Sequence, residues 1–218
     1  MIPLIFLAIV DMCFTRIYCG DLTLASYMTN IVSHSALSLM SIVIFTYSDL
    51  DKNDIYQYGH GEVWCGRWLQ WYLLYDLTKM FLGVLKNEPI FIIHHVVAFT
   101  LVEIIIRKNI LHYYLPIICI FEISSIPLNM RIAMRHVGAT LADVLWVEVV
   151  FAILFVAVRV LFGFNKAYEA LNILYNSDAE MVVFISLLFI VAGFVILHAY
   201  WLVGIFKRVL YIKNIKTD

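Results

Sequence analysis

Two adjacent histidines, His94 and His95, stand in the run EPIFIIHHVVAFTLVEIIIR (residues 88–107), flanked on both sides by apolar side chains. Imidazole is an acid, a base, a nucleophile and a metal ligand near neutral pH, so the pair admits several chemistries. For a metal site the chain is short of ligands, since this is the one HH dipeptide it contains. As an acid–base or nucleophilic pair, one ring would deprotonate an amine or hydroxyl or attack a thioester, with Glu122 or Asp76 setting its tautomer. As a structural pair, both rings would hydrogen-bond a neighbouring helix. Further polar groups recur at helical spacing, three or four residues apart on one face. They are Asn30, His34, Ser38 and Ser41; then Tyr72, Asp76, Lys79 and Gly83; then Glu122, Ser125 and Asn129. His198, in LHAYWLVGIF, is a further candidate. His94, His95, Glu122 and Asp76 are the candidate catalytic residues. His34, Ser125, Asn129, Arg131, Lys79 and His198 are the candidate substrate contacts, and no metal ligands are assigned. Asp76 and Lys79 are close enough in sequence to neutralise each other. Glu148 and Arg159 share a face of one segment but stand roughly 16 Å apart along it, so they are left outside the site.

The elements that must position these groups are membrane helices. Of the 218 residues 63% are hydrophobic and 14% charged, with a mean hydropathy of +0.90, against about one half and one quarter in soluble domains. A bilayer crossing takes about 20 apolar residues, and such runs fall near 2–19, 27–47, 64–86, 90–107, 111–130, 143–163 and 180–206. The expected fold is therefore an all-α polytopic membrane protein. Pro116 and Pro127 predict a kinked, interior fifth span. Residues 48–62 read as an exposed loop and 164–179 as a second connection. The N-terminal segment, interrupted by Asp11 and lacking a basic start, is expected to remain as a short first span. Cys13, Cys19, Cys65 and Cys119 show no C-x-x-C spacing and read as packing residues. The tyrosines and tryptophans of 64–75 suggest an interfacial belt. A net charge of −1 without a basic block argues against nucleic acid as a partner.

Basic residues favour the cytoplasmic side of short loops. Arg131 and Arg135 after the fifth span, and Lys207, Arg208, Lys213 and Lys216 at the end, orient the C-terminus to the cytoplasm; Arg107 and Lys108 are the exception. At 1.5 Å per residue His34, Asp76, His94 and Glu122 all fall within roughly 6–15 Å of that boundary. Ionisable groups in a bilayer require partners, so four helices presenting them at one depth predict a shared polar chamber open to the cytoplasm.

The order WYLLYDLTKM, FIIHHVVAF, FEISSIPLNMR, ILFVAVRVLF and AYWLVGIFKRVL resembles the TLC-domain family, and most closely its short members; ceramide synthases are more distant relatives. The resemblance implies a six-helix transmembrane barrel with one short peripheral N-terminal helix, enclosing a lipid-sized cavity in endoplasmic reticulum or related membranes. It divides the chain into an N-terminal span and loop (1–23), a TLC domain (24–210) and a cytoplasmic tail (211–218). It also implies a role in membrane lipid metabolism or homeostasis, with membrane lipids as partners. In ceramide synthases the HH pair lies in the active site and an acyl group passes from acyl-CoA to a sphingoid amine. His94 and His95 match that pair, which makes long-chain acyl-CoA a candidate co-substrate, with no further cofactor implied and Glu122 expected to orient the imidazole. Ceramide synthases carry a second motif of a histidine and paired aspartates, where this chain has Glu122, Ser124, Ser125 and Asn129. The alternative to an acyl-CoA-dependent acyltransferase is a non-catalytic lipid-binding regulator of membrane lipid composition.

Overall fold

The computed structural model describes the backbone of residues 2–85 and 88–215, and side chains for residues 3–85 and 88–208. Among these residues the regular structure is all helical. Helix α1 (Ile2–Ile17) turns through Gly20, at φ +90°, into α2 (Leu22–Tyr47). The carboxylate of Asp21 caps α2 by accepting from the backbone N–H of Leu24 at 2.9 Å, a donor the helix leaves without an internal partner. That bond, with the His136 ring beside it, holds the Asp21 carboxyl below the usual aspartate range. Then follow α3 (His60–Phe81) and α4 (Pro89–Lys108), which starts on a proline and stops at Asn109 in the left-handed region.

Helix α5 (His112–His136) is irregular where its prolines lie. Pro127 has no N–H for the carbonyl four residues back, and the chain tightens into a 3₁₀ turn over Phe121–Ser124 just before it. This irregular stretch carries Glu122. Helix α6 (Leu141–Tyr175) opens with a capping box between Thr140 and Asp143 and widens into a π-helix over Phe155–Phe162. It continues to Tyr175, so the connection expected over 164–179 is largely helix. Helix α7 (Met181–Ile215) runs on into the expected tail; Lys216 and the side chain of Lys213 lie outside the described residues.

Among the described residues five helices, α2, α4, α5, α6 and α7, are long and apolar enough to cross a membrane. The 22-residue α3 has the length, and its charged residues lower its hydropathy. Neighbour contacts close these six into a ring: α2 against α3, α3 against α4, α4 against α7, α7 against α6, α6 against α5, and α5 back against α2. Helix α1 packs outside the ring on α2 and α3, as the single peripheral helix expected. Close packing relies on small residues, as is usual between membrane helices. A Cβ on Gly66 of α3 would meet Leu115 of α5 at 3.1 Å and Val102 and Ile106 of α4 at 3.2 Å.

Two surface expectations need correction, those for the aromatic belt and for two of the cysteines. Trp68, Tyr72 and Tyr75 are buried in the main core with Leu37, Leu69 and Val102, and only Trp64 of this group keeps a belt-like exposure of 40%. The 48–62 segment is largely exposed, as expected, and is anchored by the buried Ile55, whose carbonyl accepts from the Leu111 N–H at 2.7 Å, and by Lys52, which reaches Glu169 of α6. Cys65 and Cys119 are buried, as packing residues should be, but Cys13 and Cys19 are exposed.

Candidate functional site

Inside the ring two chains of polar contacts cross from helix to helix. The first begins at His95 on α4. Its Nδ1 lies 2.7 Å from the Phe91 carbonyl oxygen and its Nε2 lies 2.8 Å from Oδ2 of Asp76 on α3. Both neighbours are acceptors, so the arrangement is complete when both ring nitrogens carry hydrogen and an imidazolium faces a carboxylate. The other Asp76 oxygen accepts from Asn30 Nδ2 at 2.9 Å, and Asn30 lies 3.4 Å from Asn129 of α5. With both nitrogens engaged, His95 joins α4 to α3.

The second chain is centred on Glu122. Its Oε2 accepts from Ser125 Oγ at 2.7 Å and lies 3.2 Å from His34 Nδ1 of α2. Its Oε1 lies 3.3 Å from Nη2 of Arg159 on α6. The Arg159 guanidinium also donates to Ser124 Oγ at 2.8 Å and to Ser125 Oγ at 3.1 Å. Arg159 is buried and joins this cluster, although it was left outside the site on sequence grounds. The π-helical stretch around it rotates the helix away from regular spacing, a departure frequent at functional sites. Glu122 therefore orients His34 and Arg159, while Asp76 holds the histidine pair through His95; the expected Glu122 contact to that pair is replaced.

His94 differs from its neighbour. Its Nδ1 is buried without a hydrogen-bond partner, and its ring packs edge-on against Trp201 at 5.1 Å and Phe194 at 5.6 Å. His198 of α7 has no partner at either nitrogen and is surrounded by Phe155, Phe164, Phe194 and Trp201.

These residues border two spaces. One is a chamber of about 1610 Å³ lined by His34, Asp76, His94, His95, Glu122, Ser125, Asn129 and Arg131 among the expected residues. Its mouth, at the end where α5 finishes and α6 begins, carries Arg131, Arg135, Lys207 and Arg208. Glu148 sits among them, 3.3 Å from Arg208 Nη1 and 3.8 Å from Arg131 Nη1. It too was left outside the site on sequence grounds. The other space is a narrow apolar pocket of about 120 Å³ toward the opposite end of the ring, lined by Ala98, Ile105, Ile117, Leu171 and Val191 with His198 among them. His94, Glu122 and Arg159 line both.

Lys79 is not brought into the chamber. It forms an ion pair with Asp11 of α1 at 2.6 Å, where Tyr75 Oη also donates to Asp11 at 2.8 Å. Lys79 thus fastens the peripheral helix to the ring and is not neutralised by Asp76. Among the described residues no group of three or more His, Cys, Asp or Glu side chains is placed to hold a metal ion.

A family model described as TLC domain matches residues 23–207 of the chain. No curated protein and no solved structure matches it.

Proposed function

The chain belongs to the TLC-domain family, whose setting is the membrane and its lipids, and from that premise we propose that it seats an acyl chain in the apolar pocket with the polar part of the same molecule in the chamber. The observation that carries this reading is the sharing of His94, Glu122 and Arg159 between a polar and an apolar space. An amphipathic ligand lying across that boundary brings its acyl linkage to His94. The basic mouth suits an anionic headgroup or the phosphates of acyl-CoA, on the cytoplasmic side if the positive residues orient the protein as their bias suggests. Endoplasmic reticulum or a related membrane is the location we propose.

In the catalytic form of this reading the reaction is acyl transfer. An imidazole nitrogen of His94 takes the acyl carbon of a long-chain acyl-CoA, the carbon–sulfur bond breaks and the thiol leaves with a proton. An amine or hydroxyl then takes the acyl group and gives its proton to the imidazole. His95, held by Asp76, contributes positive charge near the developing oxyanion. One observation favours the second reading, a non-catalytic lipid-binding regulator: the buried Nδ1 of His94 has no carboxylate to orient it. Purified protein with labelled long-chain acyl-CoA and candidate amines separates the two. Turnover that disappears in His94→Ala supports transfer. Saturable lipid binding without turnover assigns the regulator.

A further inference from the structure

A buried polar group without a partner is costly, and His198 leaves two such atoms in a cage of aromatic rings. The residue is 5% exposed and lines the apolar pocket. The other polar side chains at that end of the pocket are His94, Arg159 and Glu122. Glu122 already accepts from Ser125 and Arg159, and a neutral imidazole carries one N–H and one bare nitrogen. The N–H of His198 therefore has no acceptor among these groups.

The charge balance narrows what that acceptor is. Arg159 faces Glu122 and His95 faces Asp76, so the charges nearest the pocket are already matched. An ionised carboxylate would add an uncompensated charge to a buried site, which is costly. A carbonyl oxygen adds an acceptor and no charge.

We propose that His198 donates a hydrogen bond to the carbonyl oxygen of an uncharged fatty acyl group, an ester, amide or thioester, whose chain fills the apolar pocket. This rests on the lipid-binding reading above and adds the substrate class and the residue that recognises it. His198 is a binding residue, and the reaction, where there is one, belongs to His94. The free protein tolerates the unpartnered ring because the aromatic cage holds it, and the ligand supplies the missing partner.

The test compares three probes on purified protein: methyl hexadecanoate, hexadecyl methyl ether, which lacks the carbonyl, and hexadecanoate. Wild type binds the ester about ten-fold more tightly than the ether, about 1.4 kcal/mol, and more tightly than hexadecanoate. His198→Phe keeps a ring in the cage and removes the N–H. It brings the ester-to-ether ratio to near one. His198→Gln retains an N–H and keeps part of the preference. A wild-type ratio near one, a preference that survives in His198→Phe, or tighter binding of hexadecanoate than of the ester overturns the inference while the lipid-binding reading stands. Failure of wild type to bind any of the probes saturably overturns both. Should either variant fail to fold, the wild-type ratios by themselves still decide against the inference when they show no preference for the ester.

Discussion

The α2–α3–α5 side of the ring and the α7 side treat buried polar groups in opposite ways. On the first, Asn30, His34, Asp76, Glu122 and Asn129 meet one another, with His95 and Arg159 joining from α4 and α6. On the second, Nδ1 of His94 and both ring nitrogens of His198 lie among Phe155, Phe194 and Trp201 without a hydrogen-bond partner. A linked network fixes helix positions, since moving a bonded member leaves a charge or dipole bare, even though Asn30 Oδ1 and His34 Nδ1 make no hydrogen bond within it. A buried group without a partner calls for an explanation, and a bound ligand is the one proposed for His94 and His198. On that proposal His95 belongs to the framework and His94 to the ligand.

Substitutions test that contrast, and the largest effect on stability belongs to the network. Arg159→Met leaves Glu122 buried without its cation and destabilises the protein by about 3–5 kcal/mol, the usual range for breaking a buried pair from one side. Unfolding in detergent measures it, and the double variant with Glu122→Gln recovers part of the loss. If Arg159→Met is neutral, the Glu122 network is not the framework described. Asp76→Asn follows, at about 1–3 kcal/mol, because His95 Nε2 loses its carboxylate. His94→Phe stays within about 0.5 kcal/mol of wild type, because no hydrogen bond of Nδ1 is lost, while acyl transfer or ester binding falls sharply. A loss as large as that of Asp76→Asn would erase the distinction between the two sides.

The smallest effect lies outside both regions, at Asp21. Its carboxyl titrates below the ordinary value because Leu24 N–H and His136 stabilise its charged form. The contribution is whole above about pH 4 and is lost as pH falls through the lowered folded value. Asp21→Asn therefore shows a shallower loss of stability on acidification than wild type, read from melting temperatures between neutral and acidic pH. Salt weakens the difference, since the group is at the surface.

Sequence reading reached the framework unevenly, for physical reasons. A bilayer imposes a length on every apolar run, so all the helices from α2 to α7 were legible from hydropathy. Helix α6 was truncated because GFNKAYEALNILY is polar on one side and passes for a connection, although it continues the helix to Tyr175. The depths of His34, Asp76, His94 and Glu122 followed from rise per residue, and all four line one chamber. Which of them touch depends on how each helix is rotated, and one sequence does not contain that information. Glu122 and Asp76 were both plausible partners of the histidine pair, and the rotation of α3 against α4 decided for Asp76. Arg159 escaped because its partners lie on α5 and its own stretch abandons regular α spacing. Lys79 misled because its partner, Asp11, sits on the peripheral helix.

The central claim is that a lipid lies across the polar layer with its chain in the apolar pocket, and a photoreactive probe addresses it most directly. A long-chain acyl ester with a diazirine on its terminal carbon is bound to the purified protein, illuminated, and its attachment sites are mapped by mass spectrometry. The account predicts attachment to residues lining the pocket beyond His198, among them Ile105, Ile117, Leu171 and Val191. Attachment confined to outward-facing side chains such as Leu161, Phe189 and Ile196, or to the basic mouth of the chamber, would contradict it.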